Sequence, residues 1–400
     1  MKITKIECIP VSPPQKPLDA PVHAQSNLVL VKLHTDDGIV GIAEGGTCNQ
    51  DAVMQAVNTV YAPSLLGADP FDIEVIMRKI SRGFGAANNT ALATIDFALH
   101  DIVGKKVGVP IYKLLGGLAN EKIPLGFVLT VGDWMTPEWT AERCQKAVAA
   151  GFRDITLKVG RNRPIEVDIK NLEVIREAVG YDFRLGIDTN AGWDYYTALE
   201  ALEKMERFNL FKAEQPIPRW DIDGLVRLRQ KVSMPICAHE AAMDIPGLME
   251  VIKKNATDLL MFKLVWAPGF VIGRKWAAIA QAAGLQISCG CMNGSAFESA
   301  AQAHFLAADP WYSKIAHSNL GFILIHDIFD TVSTPVKDDL AITVPRVENG
   351  YMYPPDGPGL GLELNEAVIP KIITAGKKPT VIDKKGLRVN DEKERVKVPA

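Results

Sequence analysis

The stretch "GFRDITLKVG", residues 151–160, decides the fold. Ile155, Leu157 and Val159 alternate with Thr156 and Lys158. A strand sends alternate side chains to opposite faces, so the aliphatic residues share one face and Thr156 and Lys158 share the other. Lysine is rarely buried unless it is paired or used, so a lysine near the end of such a strand calls for a task. An amphipathic helical stretch follows near 165–179. The same alternation then recurs. "RLGIDTN" precedes a helix near 194–206, "LFKAEQP" one near 220–231 and "PICAHEA" one near 245–254. "LLMFKLV" precedes a helix near 270–283 and "LQISCGCM" one near 295–307. Alternation of this kind implies an α/β fold with a parallel sheet. A strand roughly every 25–30 residues fits a TIM-type barrel, whose chemistry sits at the C-terminal ends of its strands. No sequence repeat accompanies the rhythm, which argues against a solenoid.

Upstream of the barrel pattern, "KITKIECIPV" (2–11) reads as a strand and the proline-rich "SPPQKPLDAPVHAQS" (12–26) as a loop. "NLVLVKLHTDDGIVGIAEG" (27–45) reads as a hairpin turning at Asp36-Asp37-Gly38. Apolar residues recur at helical spacing from Ala91 to Val107, with Asp96 and Asp101 offset from them. The turn-rich tail from "GYMYPPDGPGLGLELNEA" (350–367) is expected to pack back on the N-terminal segment.

Composition narrows the function classes. Hydrophobic residues make up 48% and charged residues 23%, ordinary for a soluble globular protein. The net charge of −3 gives no case for nucleic acid or an anionic membrane. No apolar run reaches the ~18 residues of a transmembrane helix. The N-terminus lacks the apolar core of a signal peptide, so a cytoplasmic setting is expected. Six cysteines (Cys8, Cys48, Cys144, Cys237, Cys289, Cys291) are scattered without zinc-finger spacing, and "SCGC" (288–291) is expected to carry reduced thiols in a barrel strand.

The barrel strands end on charged residues. In succession these are Lys158, then Asp188 with Asn190 on the same face, then Glu214, then His239 and Glu240, then Lys263. Carboxylates converging in one mouth repel one another, and their pKa values rise. A hard divalent cation resolves that repulsion, and oxygen-only ligation with water suits Mg²⁺. The bland alternative is a set of structural acid–lysine salt bridges.

These residues resemble the enolase superfamily, in particular its muconate lactonizing and mandelate racemase-like enzymes, over nearly the whole chain. "IDFALHDIVGKKVGVPIYKLLGG" (95–117) resembles the helix signature of the family's capping domain. "GIDTNAGW" (186–193), "AEQPIP" (213–218) and "GCM" with "SAAQAH" (290–292 and 299–304) resemble successive barrel motifs, and "PDGPGLG" (355–361) the C-terminal return to the cap. The resemblance implies a modified (β/α)7β barrel over 126–349. It also implies an α+β capping domain over 1–125, completed by 350–400. It implies a small carboxylate substrate bound through Mg²⁺, loss of the proton α to the carboxylate, and an enediolate stabilised by the metal. Asp188, Glu214 and an acid on the fifth strand then hold the metal. Lys158 and Lys263 lie on opposite sides of the substrate, each able to act as base or acid once neighbouring positive charge lowers its pKa. A dimer-based homo-oligomer, up to an octamer, is also implied.

The sequence departs from the family pattern at several points. The lactonizing subgroup usually has Lys-x-Lys on the second strand; here it is Thr156-Leu157-Lys158. Lys212, two residues before Glu214 and so on the same face, either adds the missing charge or neutralises Glu214. The subgroup usually ends strand five in Asp-Glu, but His239 holds the Asp position. Strand parity groups Ile236, Ala238 and Glu240, which favours Glu240 as the third metal ligand over His239. Gly294 stands where related dipeptide epimerases often have Glu. His304 falls well into a helix and reads as structural. Thr156, Asn190, His23, Lys212 and His239 are candidate substrate contacts. Gln25, His326, Asp327 and Asp330 are further possibilities. The expected activity is a Mg²⁺-dependent isomerase, either a racemase/epimerase or a cycloisomerase. The alternatives are a dehydratase of a hydroxy acid such as an acid sugar or hydroxyproline, an aldolase using Lys158 as a Schiff-base nucleophile, and a metal-binding barrel without catalysis.

Overall fold

The computed structural model describes residues 1–13, 27–45, 50–82, 88–130, 136–160, 163–292, 294–315, 317 and 340–389. His23, Gln25, His326, Asp327 and Asp330 lie outside the described residues. The chain opens with an antiparallel meander of β1 (Ile3–Val11), β2 (Leu28–Thr35) and β3 (Val40–Gly45). The β2–β3 hairpin turns where the sequence predicts. Gly38 there has φ 79°, a conformation open to glycine without steric cost.

A helix over Asn89–Val107 packs on β3 and is buried around most of its surface. The Asn88 side chain caps its start, accepting from Ala91 N at 3.0 Å. Its two offset acids are tie points. Asp96 accepts from Phe270 N at 2.5 Å, at the start of the barrel helix Gly269–Ala282. Asp101 accepts from Ile42 N and Leu360 N, both at 2.9 Å, and from Lys105 Nζ at 2.6 Å. Each is fully buried, and burial pushes both pKa values up against these partners.

After the short strand β4 (Ile123–Pro124), seven parallel strands follow: β5 (Phe127–Thr130), β6 (Asp154–Lys158), β7 (Arg184–Asp188), β8 (Ala213–Glu214), β9 (Ile236–Ala238), β10 (Leu259–Phe262) and β11 (Gln286–Cys289). They lie side by side in that order, with helices in the crossovers at Pro137–Ala149, Ile165–Val179, Tyr195–Met205, Ile222–Lys231, Ile245–Lys253 and Gly269–Ala282. A further helix, Ala296–Ala307, follows β11. Between the far edges sits His317, paired in parallel with Leu125, while its ring Nδ1 accepts from Cys289 N at 2.9 Å. This is a modified TIM barrel. The tail supplies β12 (Val347–Glu348) and β13 (Tyr351–Met352), which pair with β4, then β14 (Thr380–Asp383) and β15 (Gly386–Val389). β14 pairs with β1, so the tail returns to the N-terminal sheet.

The strand register fixes which side chains share the barrel interior. Lys158 is level with Asp188, Asp188 with Glu214, Glu214 with Cys237, and Cys237 with Leu259. The opposite faces carry Ile155, Leu157, Ile187, Ala213, Ile236 and Leu260, which join the main apolar core. Cys237, Leu259, Met261 and Ile315 form a separate apolar cluster inside. The aliphatic face of 151–160 therefore packs under the helices, and its polar face points inward.

Candidate active site

The site gathers at the C-terminal ends of β6 to β10. Lys158 closes β6, and its Nζ donates to Asp188 Oδ2 and, at 3.0 Å, to Asn190 Oδ1. Behind it, Arg163 Nη2 donates to the Lys158 carbonyl at 2.8 Å. Asp168 accepts from Arg163 Nε at 2.6 Å and from Gly160 N at 2.8 Å, which holds the turn after the strand. Asp188 closes β7, and its Oδ1 accepts from Asn190 N at 2.8 Å. Asn190 has φ 50°, a left-handed conformation that asparagine tolerates. Its amide nitrogen lies 3.3 Å from Asp188 Oδ2 and 3.5 Å from Glu240 Oε1, so it links two of the carboxylates.

Glu214 closes β8. Lys212, two residues earlier and as deeply buried, donates to Glu214 Oε2 at 2.7 Å. Lys212 is thus committed to Glu214, not to Lys158. Position 186 accommodates its stem only as glycine: a Cβ there would lie 2.8 Å from Lys212 Cγ. Burial opposes both charges, but the Lys212 ammonium outweighs it and holds Glu214 well below the usual carboxylate range. Glu214 in turn holds the Lys212 pKa up against burial. Asp188 goes the other way, since burial and the Glu214 charge raise its pKa against the pull of Lys158 and His239. Thr156 sits one layer below Lys158, level with Gly186, and its buried hydroxyl has no hydrogen-bond partner among the described residues.

On the fifth strand, the register reverses the parity read from the sequence. Cys237 is level with Glu214, so Cys237 and His239 face inward while Ile236 and Ala238 face the helices. Glu240 reaches the mouth by another route. β9 ends at Ala238, and the backbone breaks at His239 (φ −132°, ψ −81°) into a single 3-10 turn, Glu240–Ala242. Gln215 fixes that turn: its Oε1 accepts from His239 N at 2.9 Å and from Ala241 N at 3.0 Å. His239 Nδ1 lies 3.1 Å from Glu214 Oε1 and 3.4 Å from Glu240 Oε2, neither contact having hydrogen-bond geometry. The His239 ring stacks on Trp266, with centroids 4.8 Å apart.

Lys263 follows β10 on the far side of Trp266. Its Nζ stands 4.4 Å over the Trp266 ring and donates to Met292 Sδ at 3.2 Å. Lys158 is ion-paired with Asp188, whereas Lys263 has no carboxylate at ion-pair distance among the described residues. His304 lies outside the mouth. Its Nδ1 accepts from Tyr112 N at 3.4 Å and its Nε2 contacts Leu360 O at 3.1 Å, a structural role. Gln215 and Trp266 were not singled out from the sequence. Their only signals were adjacency to Glu214 and a lone aromatic after "FKLV".

The donor set suits a hard divalent cation, being three carboxylates in one mouth. Both ring nitrogens of His239 and Glu240 Oε2 are buried without hydrogen-bond partners, as groups awaiting a ligand would be. In the conformation described, Asp188 and Glu214 are turned onto lysines. Among the described residues no three His, Cys, Asp or Glu side chains stand at metal-ligand spacing.

Comparison with known proteins matches residues 3–116 to the mandelate racemase/muconate lactonizing enzyme N-terminal domain and residues 139–368 to the enolase C-terminal domain-like family. A crystal structure of a mandelate racemase/muconate lactonizing family protein from Azoarcus sp. EbN1 superposes with a TM-score of 0.89 at 43% identity, covering 96% of this chain and 100% of that one. The N-succinyl-L-Arg/Lys racemase of Bacillus cereus is 28% identical over 93% of this chain and 98% of its own. The L-Ala-D/L-Glu epimerase of Clostridium acetobutylicum is 30% identical over 88% of this chain and 95% of its own. With barrel, N-terminal sheet and tail all matched, the chain belongs to the mandelate racemase/muconate lactonizing enzyme family of the enolase superfamily.

Proposed function

We propose that this chain is a Mg²⁺-dependent racemase or epimerase that takes the proton α to the carboxylate of a small acid from one face and returns a proton to the other. The observation that carries this is the strand order. β7, β8 and β9, which bring the carboxylates, lie between β6 and β10, which bring the two lysines. Lys158 as a neutral amine accepts the α-proton, and Lys263 as an ammonium donates one from the opposite side, so charge and protons balance. Asp188, Glu214 and Glu240 would hold the cation, which when bound supplies the positive charge that offsets the second negative charge developing on the substrate carboxylate. Asn190 links Asp188 to Glu240 and holds Lys158. Arg163 and Asp168 fix the backbone from which Lys158 projects. The relatives named for N-acylated amino acids and dipeptides make such acids the first substrates to test.

The test is incubation with Mg²⁺ in D₂O against pooled N-acyl amino, hydroxy and unsaturated acids, read by mass, with Lys158→Ala as control. Gain of one deuterium without loss of water, absent in the variant, is expected. Loss of water would mean a dehydratase and would overturn the proposal.

A further inference from the structure

Outside the mouth, the described residues hold a second pair of buried carboxylates, on the Lys263 side. Glu298 lies in the first turn of the helix Ala296–Ala307 and folds back over it. Its Oε2 accepts from Gly294 N at 2.8 Å. Its Oε1 accepts from Met292 N at 2.8 Å and from Gln302 Nε2 at 3.0 Å. Glu44 comes from the other layer, near the end of β3, and its Oε1 accepts from Ser295 N at 2.5 Å and Glu298 N at 3.2 Å. Both are 4% exposed, so neither charge is dissipated in water.

Gly294 shows how close the two carboxylates come. A Cβ built there would lie 2.1 Å from Glu298 Oε2 and 2.4 Å from Glu44 Oε1. The two acids occupy the space that a side chain at 294 would need, and they crowd each other in doing so. Two carboxylates sharing one buried space do not both ionise freely. Burial pushes the Glu298 pKa up, and the Lys263 charge pulls it back down. The attraction is mutual: an ionised Glu298 favours the ammonium form of Lys263. The Met292 whose backbone Glu298 anchors is also the residue whose sulfur receives the Lys263 Nζ.

We propose that Glu298 is a positioning residue for Lys263, setting both its place and its charge, and that Glu44 regulates Glu298 across the seam between the N-terminal sheet and the barrel. Lys158 has Asp188 for the same purpose at contact distance, whereas Lys263 has this pair at longer range. The other titratable groups around Lys263 are Cys289 of β11, Cys291 just after it, and His239, across the Trp266 ring. The significance of Lys263 rests on the proposed proton transfer, but the test needs no substrate, so either can fail without the other.

The experiment is competitive acetylation of the full chain with trace acetic anhydride, reading Lys263 and Lys158 by peptide mass at pH 8 and pH 11. Only the neutral amine reacts, so pH 8 reports charge and access together, while pH 11 reports access alone. E298Q is expected to speed Lys263 labelling at pH 8 by roughly 3- to 10-fold, as a shift of up to one pKa unit would. It should leave Lys158 unchanged and Lys263 unchanged at pH 11. E44Q frees Glu298 to ionise, so Lys263 is labelled more slowly at pH 8 than in the wild type. If E298Q does not fold, E44Q alone carries the test. Equal acceleration at both pH values, or no change at pH 8 in E298Q, would overturn the role of Glu298. Labelling in E44Q as fast as wild type or faster would overturn the pairing.

Discussion

Lys212 shows how far a single residue can be read before distances are known. Its spacing from Glu214 puts it on the inner face with Thr156 and Lys158, and two partners are then open to it. The 2.7 Å contact with Glu214 Oε2 decides between them. Replacing Lys212 with Met should leave Glu214 buried and uncompensated, costing about 3–5 kcal/mol of stability. Chemical denaturation checks this, and an unchanged midpoint would contradict the pairing. His239 and Glu240 mark the limit of parity arguments. Period-2 alternation holds only while the strand lasts, and β9 stops at Ala238. The side chains beyond it are placed by the Gln215 contacts, which no local pattern encodes.

Most elements were legible because their periodicity is strong and local. The predicted helices near 165–179, 245–254 and 295–307 appear as Ile165–Val179, Ile245–Lys253 and Ala296–Ala307. β5 and the helix Pro137–Ala149 were not read. The strand is only four residues long, too short for alternation to stand out. The tail was expected to return to the N-terminal segment, but its strands β14 and β15 were hidden, because their stability comes from pairing with β1. The helix Asn89–Val107 meets the tail by a backbone-to-backbone approach. A Cβ at Gly104 would lie 2.6 Å from Gly359 Cα and 2.8 Å from Val109 O. Gly104→Ala should therefore destabilise the protein by about 1–3 kcal/mol, as overpacking does, and speed proteolytic cleavage around 355–361. Wild-type cleavage rates would show that the contact is looser than described.

At the scale of the whole molecule, two histidines lock distant parts together in their neutral form. His304 joins its barrel helix to the tail at Leu360, and His317 sits between β11 and Leu125. Burial lowers each pKa from 6.5 to about 4. The unfolded chain binds these protons first as pH falls, so stability is full above pH ~6.5 and declines toward pH ~4, by at most about 3 kcal/mol per histidine. Thermal unfolding across that window should show the decline, and His304→Gln should shallow it. A flat profile in the wild type would mean these rings are not buried neutral. The same assembly brings Lys158 and Lys263 to opposite sides of one mouth, and that arrangement is the central claim. The most direct test takes whichever acid the deuterium screen selects and follows α-proton exchange from each enantiomer separately in D₂O. Lys158→Ala should lose exchange from one enantiomer by about 10²–10⁴-fold and keep it from the other, and Lys263→Ala should do the reverse. Both variants exchanging both enantiomers at wild-type rates would contradict the account.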